Sequence, residues 1–468
     1  MGGVGSGART REGNDPASAP PDRRVEASRS ASAPVNRNDR AITGLVMLAH
    51  AAVHTYELSL PLLLLVWAEE FVALEVPLLG TFPATAFVLG AVLTAGYAPF
   101  GIGALPGGVL ADAYGSKRLI VGCLVGMGVA FGGLALAPSL LWVAVALFVW
   151  GVAASVYHPA GLSLISKGVD ERGSAFAYHG VAGNLGIAVG PLVTAILLFV
   201  VGDWRVVVGL LAVPALVGAF AAARVDVDET AAVTAADGGD SEGAGEARAS
   251  GSVASLGEFL ADSRVLFASA FVLAFGVAML SGLYYRGVLT FLPDLLGRFP
   301  SLQPIEVAGY PRPLEPQQYV YSGLLMVGVL GQYVGGKATD RVPVELGLVA
   351  GYATLALFAL LFLPVASLGL GPLLAVGSVL GFALFVVQPF YQATIAEYTP
   401  AEARGLSYGY TYLGVFGVGA LGGALAGFVL TVADPGALFV VLAVLAGLAA
   451  LCGLALYRRR RTSGPTVA

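Results

Sequence analysis

Apolar runs long enough to cross a lipid bilayer follow one another through most of this chain. A helix needs roughly 18 or more apolar residues to span about 30 Å of hydrocarbon. Hydrophobic residues make up 57% of the chain and charged residues only 12%, whereas charged residues are about 25% of a typical soluble domain. Because a soluble core has no use for so much apolar surface, the sequence predicts an all-α membrane protein.

The apolar runs fall into two groups of six. The first group spans approximately 42–68, 84–110, 119–138, 140–165, 174–201 and 205–224. The second spans approximately 265–293, 319–336, 344–364, 369–396, 405–432 and 436–457. Two nearly continuous stretches are divided at 137–139 and 365–369. We therefore predict twelve transmembrane helices in two six-helix bundles, over residues 41–224 and 265–457.

Three polar segments flank or join these bundles. Residues 1–40 are rich in Gly, Ala, Ser, Pro and Arg, which predicts a disordered tail rather than a cleaved leader. Residues 225–264 have the acidic composition of a solvated linker, whose last residues, 255–264, are expected to form a short surface helix. Residues 458–468 form a basic tail.

Positive charge predicts the orientation in the membrane. The segments expected on the inner side hold seven arginines in the first tail and Lys117, Arg118, Lys167, Arg172, Arg224, Arg248, Arg264, Lys337, Arg341, Arg404 and Arg458 to Arg461. The outer loops hold only Arg205, Arg298 and Arg312. This bias predicts a multi-pass protein of the cell membrane with both termini in the cytoplasm.

A polar loop recurs at matching places in the two halves. The run Gly108-x-Leu110-x-Asp112-x-x-Gly115-x-Lys117-Arg118 is echoed 228 residues later by Gly336-x-x-x-Asp340-Arg341. Tyr56-Glu57 aligns in the same way with Tyr285-Arg286, and His158-Pro159 with Gln388-Pro389. The repeats predict two pseudo-symmetric bundles, and many secondary transporters are built from such copies with a binding site between them.

Sequence patterns of soluble enzymes also occur, but their context argues against them. Gly417-x-Gly419-x-x-Gly422 lies inside a predicted span with no strand before it, and Gly331-x-x-x-x-Gly336-Lys337 has Ala338 where a phosphate loop needs a hydroxyl. With 64 glycines such matches are expected, and small residues let helices pack closely in lipid. We predict that the protein is no enzyme and needs no cofactor.

The loop that begins at Gly108 resembles the signature loop of the major facilitator superfamily, and the twelve spans extend the resemblance over the whole chain. The resemblance implies the major facilitator fold and alternating access. It assigns a gating role to Gly108, Asp112, Gly115, Lys117, Arg118, Gly336, Asp340 and Arg341. In that role Gly108 would permit tight packing, and Asp112 would sit against the positive end of a helix from the other half. Ala113 and Ser116 replace basic residues that are usual in the family.

A narrower resemblance is to the fosmidomycin-resistance group of that superfamily. It is carried by His50-x-x-x-His54 with Pro61, by Tyr157-His158-Pro159, by the run from His179 to Pro191, and by Tyr285-Arg286-Gly287-x-x-Thr290-Phe-Leu-Pro293. This group usually has an acidic or amide residue near His54. The resemblance implies efflux of a small compound.

Ionisable residues inside the spans are the candidates for a substrate or proton site. His50, His54 and Glu57 are spaced as one stripe on a helix, and ionisable groups at membrane depth usually face a water-filled cavity. The alternative is hydrogen-bonded packing between helices. Arg286 is the only cation inside a predicted span, and we expect it to lie opposite Glu57 across a central cavity, electrostatically coupled to it.

Four further polar residues are weaker candidates. His158 and Gln388 precede prolines that bend their helices, so each either faces the cavity or merely marks a kink. Asn184 either lines the cavity or hydrogen-bonds a neighbouring helix, and His179 is expected to serve packing or gating. A metal site made of His50, His54 and Glu57 is disfavoured, because no His or Cys of the other half would complete its shell.

These observations favour a secondary active transporter that works by alternating access, with proton-coupled efflux of a small drug or metabolite as its expected activity. The alternative is proton-coupled uptake of a small metabolite, and a membrane-embedded enzyme or receptor is a distant third. The expected partners are a small-molecule substrate, protons and the lipid bilayer. Nucleic acid is not expected, and the protein is expected to be a monomer.

Overall fold

The computed structural model describes residues 36–233, 256–400 and 404–463, together with Gly2. Most of the predicted tail at 1–40, the linker between 234 and 255, and the last five residues lie outside the described part. The helices from Asn36 onward belong to one compact unit. The sequence-predicted all-α architecture is confirmed.

Eight helices form the first half. They are α1 (Arg37–Glu70), α2 (Ala86–Ile102), α3 (Ala104–Tyr114), α4 (Ser116–Ala135), α5 (Leu140–Ser155), α6 (Tyr157–Gly168), α7 (Arg172–Val201) and α8 (Trp204–Arg224). Two of the six predicted spans are broken helices, because α2 and α3 meet at a bend of 49° and α5 gives way to α6 just before His158. Ser139, inside the predicted break at 137–139, caps α5 by accepting a hydrogen bond from the Trp142 amide (3.4 Å).

The second half begins with α9 (Leu256–Ala268), which covers most of the short helix predicted at the end of the linker. It continues with α10 (Phe271–Gly297), α11 (Pro316–Thr339), α12 (Val344–Ala366), α13 (Leu370–Tyr398), α14 (Arg404–Tyr412), a π-helical turn (Leu413–Val418), α15 (Leu421–Val432) and α16 (Pro435–Ser463). A short 3₁₀ turn, Pro300–Leu302, follows α10. Pro389 stays inside the continuous helix α13, so Gln388-Pro389 does not break its span as Tyr157-His158 does.

In the described part of the chain, ten helical segments are long and apolar enough to cross a membrane, and the bent pair of α2 and α3 brings the number to eleven. The remaining predicted span corresponds to α11, a helix of 24 residues. It falls outside that group although it has the length of a span. Gln317, Gln318 and Gln332 dilute its hydropathy, and the first two are buried against the protein.

Equivalent helices pair in the two halves. In the first half α1 packs on α7, α2 on α5, and α4 on α8. In the second half α10 packs on α15, α11 on α13, and α12 on α16. The same three pairings therefore recur among corresponding spans, as expected for two copies of one unit.

The two halves meet along α2, α7 and α1 of the first and α15, α11 and α10 of the second. Glycines allow the closest approach: a Cβ on Gly90 would overlap the backbone of Gly423, and one on Gly101 would overlap the backbone of Gly417. In lipid, such small residues let helices come together by backbone packing.

A two-stranded antiparallel hairpin joins α1 to α2, and the sequence analysis did not predict it. Strand β1 (Ala73–Val76) pairs with β2 (Gly80–Pro83), with Ala73 opposite Pro83 and Val76 opposite Gly80. Eight strand residues do not alter the all-α class.

Candidate functional site

The two charged residues that the repeat places in equivalent positions contact each other at the centre of the protein. A carboxylate oxygen of Glu57, on α1, accepts a hydrogen bond and forms an ion pair with the guanidinium of Arg286, on α10. Their side chains are only 1% and 2% exposed. Because α1 belongs to the first half and α10 to the second, this buried pair links the two bundles directly.

Aromatic side chains enclose the guanidinium. Its central carbon lies 3.7 Å from the ring centre of Tyr97 and 5.5 Å from that of Tyr285, both within the range of cation–π attraction. The Tyr97 hydroxyl donates to the backbone oxygen of Glu57 at 2.9 Å, which ties α2 to the same point. Tyr97 was not predicted as a site residue, because one tyrosine in an apolar helix gives no signal of its position.

The second carboxylate oxygen of Glu57 begins a chain of hydrogen bonds along α1. It lies 2.5 Å from Nδ1 of His54, and Nε2 of His54 lies 3.1 Å from Nε2 of His50. Nδ1 of His50 in turn lies 2.7 Å from the backbone oxygen of His179, on α7. The predicted stripe on α1 is therefore one continuous polar chain, buried throughout.

All four histidines of the sequence meet in this cluster. The His50 ring stacks on that of His179 at 3.8 Å, and His158 approaches His50 and His54 edge-on, at 5.3 and 5.6 Å between ring centres. His158 also contacts the second half, with its ring 5.1 Å from that of Tyr412. His158 and His179 therefore belong to the same buried centre as the α1 stripe.

The histidine cluster is also the one place in the described residues where three potential metal ligands come close together. The nearest ring nitrogens of His50, His54 and His158 lie within 4.8 Å of one another. This set differs from the disfavoured combination of His50, His54 and Glu57, because His158 takes the place of Glu57. The Nε2 atoms of His50 and His54 lie 3.1 Å apart, within hydrogen-bond distance of each other.

Other polar atoms near the ion pair are buried without a hydrogen-bond partner among the described residues. They are Nε of Arg286, the hydroxyl of Thr290 one turn further along α10, and the hydroxyl of Tyr321 on α11. Each is a hydrogen-bond donor, so together they favour a ligand rich in acceptor atoms. The candidates Asn184 and Gln388 are half-buried, on α7 and α13.

The first signature loop differs from its expected contacts in two ways. The exposed carboxylate of Asp112 accepts a hydrogen bond from Nζ of Lys167 at 2.6 Å, so its partner belongs to the same half and not to the other. A Cβ on Gly108 would meet nothing within 4 Å, whereas one on Gly107 would lie 3.0 Å from Pro159. The close packing predicted for Gly108 thus falls on its neighbour.

A residue of the predicted linker organises the rest of that loop. Gly115 has a φ of +86°, a conformation that favours glycine, and separates α3 from α4. Glu229 then accepts hydrogen bonds from the backbone amides of Ser116 (2.7 Å) and Lys117 (3.1 Å), at the positive end of α4. The start of the linker is therefore bound to the loop. Arg118 is exposed beside it.

The second signature loop is more open. Asp340 caps the end of α11 and is exposed, as is Arg341. A Cβ on Gly336 would meet nothing within 4 Å, whereas one on Gly335 would overlap the backbone of Val386. As in the first loop, the tightly packed glycine precedes the one singled out from the sequence.

In the described part of the chain, helical segments in two matching halves, with a buried polar cluster where the halves meet, have the architecture of a multi-pass membrane protein built from two copies of one unit. A sequence profile of the Major Facilitator Superfamily matches residues 46–419 and, in an overlapping second match, 314–468. The chain belongs to this superfamily.

Curated relatives are similar to this chain over short stretches. The puromycin resistance protein pur8 of Streptomyces alboniger is 40% identical over 119 residues, which are 24% of this chain and 23% of the relative. A Na(+), Li(+), K(+)/H(+) antiporter of Planococcus maritimus is 36% identical over 102 residues, 20% of this chain and 24% of that protein. The chain thus matches about a quarter of the length of each.

Solved structures share the fold across most of the chain. The nucleoside transporter NupG superposes with a TM-score of 0.66 at 15% identity, covering 90% of this chain and 99% of that one. The peptide transporter POT gives a TM-score of 0.66 at 17% identity, covering 90% and 95%. At these identities the likeness establishes the fold alone.

Proposed function

We propose that this protein is a secondary active transporter that exports a small drug or metabolite in exchange for protons. The observation that carries the proposal is the buried ion pair of Glu57 and Arg286, which joins the first membrane-spanning helix of one half, α1, to that of the other, α10. A proton or a substrate that binds to either member of this pair would change the contact between the two halves, which move relative to each other during alternating access.

The energetics suit such a switch. A single charge at the centre of a membrane helix costs about 2.5–3.5 kcal/mol on insertion scales. Removing one partner of a buried pair costs about 3–5 kcal/mol, because the other charge is then left uncompensated. A proton on Glu57, or an anionic group on Arg286, would weaken the pair between the halves and shift the equilibrium between inward-open and outward-open forms.

The surroundings of Arg286 support a small anionic or amphiphilic substrate. Its unpartnered Nε, with the free hydroxyls of Thr290 and Tyr321, offers donors to a ligand's acceptor atoms, and the faces of Tyr97 and Tyr285 offer apolar contact. We assign Asn184, Gln388 and His158 to the wall of the same cavity as it opens.

The signature loops are proposed as gates rather than substrate contacts. Asp112 and Asp340 both lie at helix ends, far along the chain from the central pair, and both are exposed. The pairing of Asp112 with Lys167 and the docking of Glu229 on Ser116 would hold the loop in one conformation. Exchange of these contacts during transport would then control access from the side of the termini, which the positive charges assign to the cytoplasm.

The proposed direction of transport is supported by the names of two relatives and by the family resemblance. The name of the relative from Streptomyces alboniger refers to resistance, that from Planococcus maritimus to antiport with protons, and the resemblance to the fosmidomycin-resistance group points the same way. Proton-coupled uptake of a small metabolite is the alternative. We propose a monomer in the cell membrane as the working unit.

Flux measurements in proteoliposomes test the proposal. A growth screen of a deletion strain against toxic compounds and carbon sources would first supply the substrate. Substrate should then accumulate against its gradient only when a proton gradient is imposed, and Glu57→Gln should abolish that accumulation. The matched control is Glu306→Gln, which changes an exposed loop carboxylate. Transport that ignores the proton gradient would refute proton coupling, and its direction separates efflux from uptake.

A further inference from the structure

The hydrogen-bonded chain on α1 has three contacts, but its two imidazoles, when neutral, carry only two protons. Three contacts follow one another, from Glu57 to His54, from His54 to His50, and from His50 to the backbone oxygen of His179. Each hydrogen bond needs one proton between its two heavy atoms. Two neutral imidazoles supply two protons, and neither an ionised carboxylate nor a carbonyl oxygen supplies any.

From this count we infer that the Glu57–His54–His50 chain is a binding site for one exchangeable proton, which the structure holds in its loaded form. The inference rests on the proposed function for its role in transport, because it names the site at which the coupling ion binds. The binding of the proton itself is inferred only from the three contacts of the chain.

The contacts at the two ends of the chain place the extra proton in the middle. The backbone oxygen of His179 only accepts, so Nδ1 of His50 must donate at 2.7 Å. Glu57 is held as a carboxylate by the Arg286 guanidinium, so Nδ1 of His54 donates at 2.5 Å. Both Nδ1 protons are then assigned, and the 3.1 Å contact between the two Nε2 atoms requires a third proton. One of the two rings is therefore an imidazolium.

The groups packed around this pair limit the site to one proton. His179 on α7 stacks on His50 at 3.8 Å, and His158 on α6 lies 5.3 Å from it. Tyr157 on α6 lies at 5.4 Å. A second imidazolium at any of these rings would face the first at short range in an apolar site, where like charges disfavour each other. Among the residues that the structure describes, Glu57 is the one carboxylate in contact with this pair, and Arg286 lies beyond it.

The extra proton links the chain to the ion pair between the halves. In the loaded form each carboxylate oxygen of Glu57 accepts one hydrogen bond. One comes from Nδ1 of His54, which belongs to the protonated histidine pair, and the other comes from the guanidinium of Arg286. Without the proton, two lone pairs would face each other at 3.1 Å, so the contact between His54 and His50 must open. Glu57 is then left with Arg286 as its charged partner. Proton release is therefore expected to tighten the pair between the halves, and proton binding to loosen it.

Nitrogen-15 NMR of histidine-labelled protein tests the inference directly, because the chain has only four histidines and all lie in this cluster. The sample would be tag-free, chelator-treated protein in detergent micelles. We expect the signal of one imidazolium, shared by two rings, that disappears as a single proton dissociates with rising pH. His50→Gln and His54→Gln should each remove that signal.

The matched control is His179→Gln, which replaces a histidine of the same cluster but retains the backbone oxygen that ends the chain. It should leave the imidazolium signal in place. Four neutral rings in the wild type at every pH at which the protein is folded would overturn the inference, as would an imidazolium signal that survives in both His50→Gln and His54→Gln. An imidazolium in a protein whose transport ignores proton gradients would refute only the proposed coupling.

Discussion

Removing either charge of the central pair should destabilise the protein, and the two removals should differ in size. Glu57→Gln leaves Arg286 as an unpaired cation at a site that is 2% exposed. The expected cost is about 3–5 kcal/mol for a broken buried pair. The ring of Tyr97, 3.7 Å from the guanidinium carbon, contacts the cation in both the wild type and the variant, so it does not reduce this loss.

Arg286→Gln leaves a carboxylate that still has a charged neighbour. Glu57 keeps its 2.5 Å contact with His54, which belongs to the cationic histidine pair. Its negative charge is therefore partly compensated, and we expect a smaller loss than for Glu57→Gln. The double variant has neither charge, so its loss should fall below the sum of the two single losses by about 2 kcal/mol or more, because residues in contact are not additive.

Thermal unfolding of the purified variants in detergent, followed by tryptophan fluorescence, would measure these differences. Asp294→Asn is the matched control, because it breaks an ion pair with Arg298 whose side chains are 42% and 52% exposed. An exposed pair of this kind contributes about 1 kcal/mol or less. Single losses as small as that of the control, or an additive double variant, would refute the reasoning. The charge-swapped pair should recover only part of the stability, since His54 would then face an arginine.

Three further predictions concern gating, topology and packing. Asp112→Asn should slow turnover while substrate affinity stays within a few-fold, as measured by flux and equilibrium binding; loss of binding with normal conformational exchange would contradict a gating role. Single cysteines at Ser241 and Pro304, in a background without native cysteines, should react with impermeant reagents from opposite sides of the membrane. Labelling of both cysteines from the same side would contradict this topology. Gly101→Ala should reduce flux at least several-fold, because the added Cβ would overlap the backbone of the other half. Gly122→Ala is the control and should leave flux unchanged, because its Cβ would meet nothing within 4 Å. Equal effects of the two substitutions would show that the close approach at Gly101 does not matter.

The positions of the helices along the chain could be predicted from the sequence, because burial in lipid requires long apolar runs whatever their neighbours are. The repeat added the equivalence of Glu57 and Arg286, since a pseudo-two-fold axis carries one helix onto the other. The spacing of His50, His54 and Glu57 placed all three on one face of α1. These inferences depend only on the period of the helix and on the polarity of the solvent around it.

The contacts between helices were decided by the tertiary structure. Hydropathy fixes where a helix lies along the membrane normal but not its rotation, because in lipid every face of the helix is apolar. The stacking of His179 on His50 and the contact of Tyr97 with Arg286 therefore had no signal in the sequence. Neither did the pairing of Asp112 with Lys167 within one half. His158 was a candidate from the sequence, but its choice between the cavity and a mere kink was decided only by the packing. Rotation is set by side-chain packing among neighbouring helices, and only the folded bundle contains that information.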